Sequence, residues 1–148
     1  VLSQVVDLGI ATGPVVLLLA WFQVGISSQL LWIPVLLLIL LVNVMAAGIV
    51  LSAASLFFRD VKYLVEVGLT FAIFVTPVFY GVADIPKWST ILQLNPIAPI
   101  LEAMVAVVVE HRAPDPVWLP YSAIVGLVGL ALAAVFFRRV EPLFAERI

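Results

Sequence analysis

LFFRDVKYLVE, Leu56 to Glu66, is a charged break of a few residues between two apolar runs. Arg59, Asp60 and Lys62 fall in it, and each such charge costs about 2.5 to 3.5 kcal/mol at the centre of a bilayer. A chain living in lipid must bring this break to a membrane surface. Outward from it, four apolar stretches predict membrane spans over 5–24, 31–56, 65–80 and 118–137. Crossing about 30 Å of hydrocarbon takes about 20 helical residues. The first, second and fourth stretches reach that length and the third approaches it. Helix is the default, because a segment in lipid has to satisfy its own backbone groups. The second run continues to Phe57 and Phe58, which suits a tilted span or an end in the headgroups.

Composition agrees with a lipid solvent. Of 148 residues, 65% are apolar and 11% charged, with a mean hydropathy of +1.27, against about 25% charged in a soluble domain. A soluble fold of this size would leave large sticky patches in water. The net charge of −2 and the scattered basic residues give no groove-reading stripe, so no nucleic-acid partner is expected. With no cysteine there is no disulfide framework and no thiolate ligand, and the lone His111 builds no metal cluster. The chain opens on Val1 with no signal-peptide pattern and is expected to be partial.

Lysine and arginine set the orientation. Arg59 and Lys62, and beyond the last span Arg138, Arg139 and Arg147, mark cytoplasmic ends, whereas the turn from Gly25 to Gln29 carries no basic residue. The connection 81–117 holds Lys87 and Arg112 against Asp84, Glu102, Glu110 and Asp115, which places it outside. Both ends of the chain, including the tail 138–148, are then cytoplasmic. Within the connection, Pro96 to Val109 is apolar but too short to cross as a helix. Five prolines, at 86, 96, 99, 114 and 116, cut it into pieces. Short helices are expected over 87–93 and 97–109, with a cap near Asn95. The predicted fold is an all-α integral membrane protein: four transmembrane helices and a re-entrant or interfacial external helical hairpin between the last two.

Other residues admit two readings. Gly48 with Ser52, Ser122 with Gly126, and Gly129 with Ala133 are spaced four apart, as a close helix seam or as chance. Trp21, Trp32, Tyr80, Trp88, Trp118 and Tyr121 fall at outer span ends or in the hairpin, as an aromatic belt. Trp21, Phe22 and Tyr80 are also candidates for a pore or interface. Glu102, inside an apolar stretch, needs water or a partner, whereas Asp7 and Glu66 can snorkel. The Arg59 to Lys62 break reads either as a basic anchor or as a docking loop for a soluble partner. No Gly-Lys-Ser or Gly-Lys-Thr occurs, so no phosphate-cradling loop is present.

The order FFRDVKYLVE, then TPVFY (Thr76 to Tyr80), LNPIAPILEA (Leu94 to Ala103) and the tail EPLFAERI (Glu141 to Ile148) resembles the type-2 ABC exporter permeases. The resemblance is closest to the membrane subunits of O-antigen, capsule-type and teichoic-acid exporters, and it covers essentially the whole chain. It implies a permease that pairs with a second permease copy, moves a lipid-linked glycan, and takes ATP energy from a separate ABC ATPase subunit, with no cofactor of its own. It assigns Arg59, Asp60 and Lys62 to an ATPase-facing coupling loop. Asn95, Pro96, Pro99 and Glu102 fall in its external gate, the hairpin from Ile85 to Glu110. It further implies an inner-membrane protein. Readings that stay open are a drug or small-molecule exporter of the same fold, a passive channel, and an intramembrane enzyme using Glu110, His111 and Asp115.

Overall fold

The computed structural model describes residues 10, 13–14, 17, 21, 27–57, 60–76 and 85–145, the side chains of 56, 57, 75 and 140–145 excepted. Ser27, whose hydroxyl accepts the Gln29 N–H, opens a 3-10 turn over Ser28–Trp32 that runs into α1, Ile33–Phe57. Pro34 sits in the first turn of α1, where a missing N–H breaks no helical bond. Then follow α2 over Val61–Val75, α3 over Ser89–Gln93, α4 over Ala98–Val108 and α5 over Trp118–Ala145. Every regular element among the described residues is helical. In the first predicted span, Ile10, Gly13, Pro14, Leu17 and Trp21 are helical and exposed.

Two stretches among these residues are long and apolar enough to cross a membrane, Ser28–Ser55 and Trp118–Arg139. At about 1.5 Å per residue, α1 is roughly 37 Å long and α5 roughly 42 Å, both more than a hydrocarbon core requires. Their outward faces are apolar: Leu38, Leu41 and Val44 on α1, and Ile124, Leu127 and Leu132 on α5, are at least half exposed. That much bare aliphatic surface is unfavourable in water and ordinary in lipid.

Helices α1 and α5 pack side by side in parallel. Leu36 shares a buried cluster with Leu119, Asn43 meets Ser122 and Gly126, and Ala46 meets Gly129. Further along, Ile49 lines one cavity with Ala134, Phe137 and Arg138. Residue numbers rise together on both helices, so both run the same way. The seam is built from small residues: Ser122 and Ala133 are buried, as are Ala46 and Ala53 opposite. Two of the three predicted small-residue pairs therefore lie in a real packing seam. The third does not, since a Cβ on Gly48 would meet nothing within 4 Å and Ser52 is exposed.

The register can be tested directly. A Cβ built on Gly129 lies 3.5 Å from that of Ala46, inside the range of about 3.5 to 4.5 Å that a disulfide spans. Ala46→Cys combined with Gly129→Cys is expected to cross-link on mild oxidation, read as a mobility shift that a reductant reverses. Gly48→Cys with Gly129→Cys is expected to stay uncross-linked.

Helix α2 begins at Val61, four residues before the predicted span. The Asp60 carbonyl already accepts the N–H groups of Tyr63 and Leu64, both at 3.1 Å, so helical bonding starts at the charged break itself. Charge opposes burial in lipid but not helix formation, which is why Lys62 and Glu66 sit inside α2. The helix ends where Thr76 turns extended, and 77–80, the rest of the predicted span, lie outside the described residues.

Candidate functional site

The N-terminal ends of α1 and α5 are roofed by α4. Leu36, Ile100, Ala103, Val107 and Leu119 form its buried cluster, with Leu30, Ile33 and Met104 packed around them. Helix α4 starts from a turn whose residue types set its shape. Asn95 is the first residue of a four-residue turn closed by Ala98 N–H donating to Asn95 O at 3.0 Å, and Pro96 stands second, where its fixed φ suits the turn. The Asn95 side-chain Oδ1 accepts the Ile97 N–H at 3.1 Å. Pro99, buried, occupies the first turn of α4, where it has no helical donor to lose.

Three side-chain bonds tie this turn to its surroundings. Asn95 Nδ2 donates to Thr76 Oγ1 at 3.0 Å, joining the turn to the end of α2. Tyr121 Oη donates to Leu94 O at 2.9 Å, joining it to α5. Gln93 Nε2 donates to Glu102 Oε2 at 3.1 Å, clasping α3 to α4. Glu102 thus has the polar partner that its position in an apolar stretch requires. The structure brings Asn95, Pro96, Pro99 and Glu102 into one compact hairpin. Thr76, Gln93 and Tyr121 belong with them but were not among the predicted gate residues.

The helix that follows is capped by Asp115, whose Oδ1 accepts the Val117 N–H at 2.8 Å and the Trp118 N–H at 3.0 Å. Glu110 pairs with Arg112 at 2.9 Å on the surface. His111, at φ 55°, is the left-handed residue after α4 and is exposed. The three residues considered for acid–base chemistry thus serve a cap, a surface pair and a turn. Among the described residues no cluster of potential metal ligands occurs.

At the opposite end, Asp60 and Lys62 are exposed around the start of α2, while Arg59 lies outside the described residues. Trp21 is 84% exposed, and Phe22 and Tyr80 also fall outside the description. Trp118 and Tyr121 meet edge to face, centroids 5.8 Å apart.

Between the two ends lies the polar contact of the α1–α5 seam. Asn43 Nδ2 donates to Ser122 O at 3.2 Å and to Ile39 O of its own helix at 2.9 Å. Gly126 makes the room: a Cβ there would stand 2.6 Å from Asn43 Nδ2. The Ser122 hydroxyl turns back to Trp118 O at 3.2 Å.

Comparison with known proteins adds sequence kinship to this geometry. The chain is 36% identical over 118 residues to the O-antigen export system permease protein RfbA of Myxococcus xanthus, covering 78% of this chain and 45% of that protein. A protein of the same name from Klebsiella pneumoniae is 28% identical over 133 residues, 84% of this chain and 49% of its own length. The chain spans about half the length of these curated relatives. No solved structure matches it. The family model for ABC-2 type transporters matches residues 4–109, which takes in α1, α2 and the hairpin up to the end of α4. An apolar chain matched over that range, helical in every regular element among the described residues, belongs to the ABC-2 type transporter family, whose members are membrane transport subunits.

Proposed function

We propose that this chain forms part of the membrane-spanning permease of an ATP-driven exporter that carries a lipid-linked polysaccharide of the O-antigen kind across the inner membrane. Its likeness over 118 residues to a permease named for O-antigen export carries the reading. An ABC ATPase on a separate chain supplies the energy, docking at Arg59, Asp60 and Lys62, and a second permease copy completes the path. The hairpin 81–117 is the outer gate.

The parallel packing of α1 and α5 supports four spans. If both cross the bilayer in the same direction, Phe57 and Trp118 stand on opposite faces, and the chain between them has to return through lipid. Helix α2 together with the apolar residues that follow it is the stretch suited to do so, and with the run 5–24 the spans number four. Positive-inside placement then puts Arg59, Lys62, Arg138 and Arg139 in the cytoplasm.

The test uses the full-length permease co-expressed with its ATPase in a strain lacking both. Glycan is expected to reappear on the cell surface, and the ATPase to co-purify with the permease. Arg59→Glu combined with Asp60→Lys is expected to cut ATPase recovery about tenfold, equivalent to about 1.4 kcal/mol. Absence of surface glycan would defeat the substrate assignment. Undiminished recovery would defeat the docking assignment.

A further inference from the structure

We infer that the Thr76–Asn95 hydrogen bond is the link through which movement of α2 reaches the outer hairpin, so that Thr76 acts as a positioning residue for the gate. The inference rests on the proposed reading that nucleotide acts at the cytoplasmic end of α2.

Among the described residues, little packs against the shaft of α2, whose contact with α1 is slight beside that of α5. From Asp60 to Phe74 every residue is exposed or half-buried, with Tyr63, Leu64 and Phe71 about two-thirds bare. Thr76 is the residue of this segment that is buried, at 9% exposure, among those whose side chains are described. A helix bare along its shaft and seated at one end is placed to move as a rod and act through that end.

What it acts on is a turn that cannot absorb the movement locally. Asn95 is fixed on three sides, because its N–H donates to Leu92 O, its carbonyl accepts from Ala98 and its Oδ1 accepts from Ile97. With Oδ1 so engaged, the amide nitrogen is the part of the side chain left to face Thr76. A pull on that amide moves the turn between α3 and α4 as one piece. The neighbouring residue, Leu94, is held to α5 through the Tyr121 hydroxyl. The turn therefore has one tether to the loosely held helix and one to the packed α1–α5 pair. Displacement of α2 relative to that pair has to tilt the turn, and with it α4.

The test reads α4 itself. Ala103, 3% exposed on the packed face of α4, is replaced by Cys in a full-length permease otherwise free of cysteine, assembled with its ATPase in membranes. Its maleimide labelling rate is compared with and without a non-hydrolysable ATP analogue, in Thr76, Thr76→Ser and Thr76→Val backgrounds. Nucleotide is expected to change the rate about threefold or more in the first two, since a shift in the population of the moved hairpin appears directly in labelling. In Thr76→Val, which keeps the volume and loses the hydroxyl, that response is expected to vanish. An undiminished response in Thr76→Val overturns the link alone. A chain with Thr76 intact that ignores nucleotide overturns the ATP-driven reading, and the link with it.

Discussion

Gly126→Leu is expected to pull α1 and α5 apart and to lower the stability of the full-length protein by roughly 2 to 4 kcal/mol, the sum of an overpacking cost and a lost interhelical bond. Even a methyl group at this position would sit 2.6 Å from Asn43 Nδ2, closer than non-bonded atoms approach. An alanine forces the Asn43 amide to swing away and give up Ser122 O. A leucine exceeds what that one side chain can yield, so the helices themselves must separate. The measurement is unfolding in detergent, followed by the exposure of a cysteine introduced into the seam at Ala133. Gly48→Leu, on open surface, is the control and is expected to shift the midpoint little. Equal midpoints for the two variants would refute the seam.

Ile100→Ala acts at the roof. Ile100, Leu36 and Val107 are wholly buried there, and removing a core isoleucine side chain costs about 2 to 4 kcal/mol where the site cannot collapse. The surrounding cluster is made of residues from three helices, so collapse is restricted. Helix α4 is short and seated on this contact, so the loss is expected as local opening. Its amides should exchange roughly 30 to 900 times faster with solvent, while those of α1 and α5 keep their protection. Uniform loss of protection across all helices would mean that α4 is not an independent lid on the pair.

Much of the helical layout was legible because charge and lipid exclude one another. The length of α1 follows from an uninterrupted apolar run, and the turn before α4 from an Asn-Pro pair with a second proline behind it, whereas α5 outruns its apolar stretch, continuing through Arg138, Arg139 and Glu141 to Ala145. Helix α2 starts at Val61, ahead of the apolar stretch that opens at Val65, because charge limits the lipid-buried part of a helix and not the helix itself. Spacing flagged Gly48 with Ser52 as readily as Ser122 with Gly126, since spacing does not say which face meets a neighbour. Asn95, Pro96, Pro99 and Glu102, the residues proposed for the gate, lie in one local stretch. Their partners Thr76 and Tyr121 are brought near by the fold, across 19 residues from Asn95 and 27 from Leu94. No local pattern encodes such pairings. Asn43 escaped notice for the same reason, being one amide in an apolar run with a partner 79 residues away.

That separation bears on how the protein is made. Because synthesis proceeds from the N-terminus, α1 is in the membrane long before α5 leaves the ribosome, and its amide waits for an acceptor that does not yet exist. The bond from Asn43 to Ile39 O lies wholly within α1, so the waiting group is never orphaned in hydrocarbon. Early insertion and late pairing are thereby compatible, and the bond to α5 completes an assembly step without having to rescue the helix that preceded it.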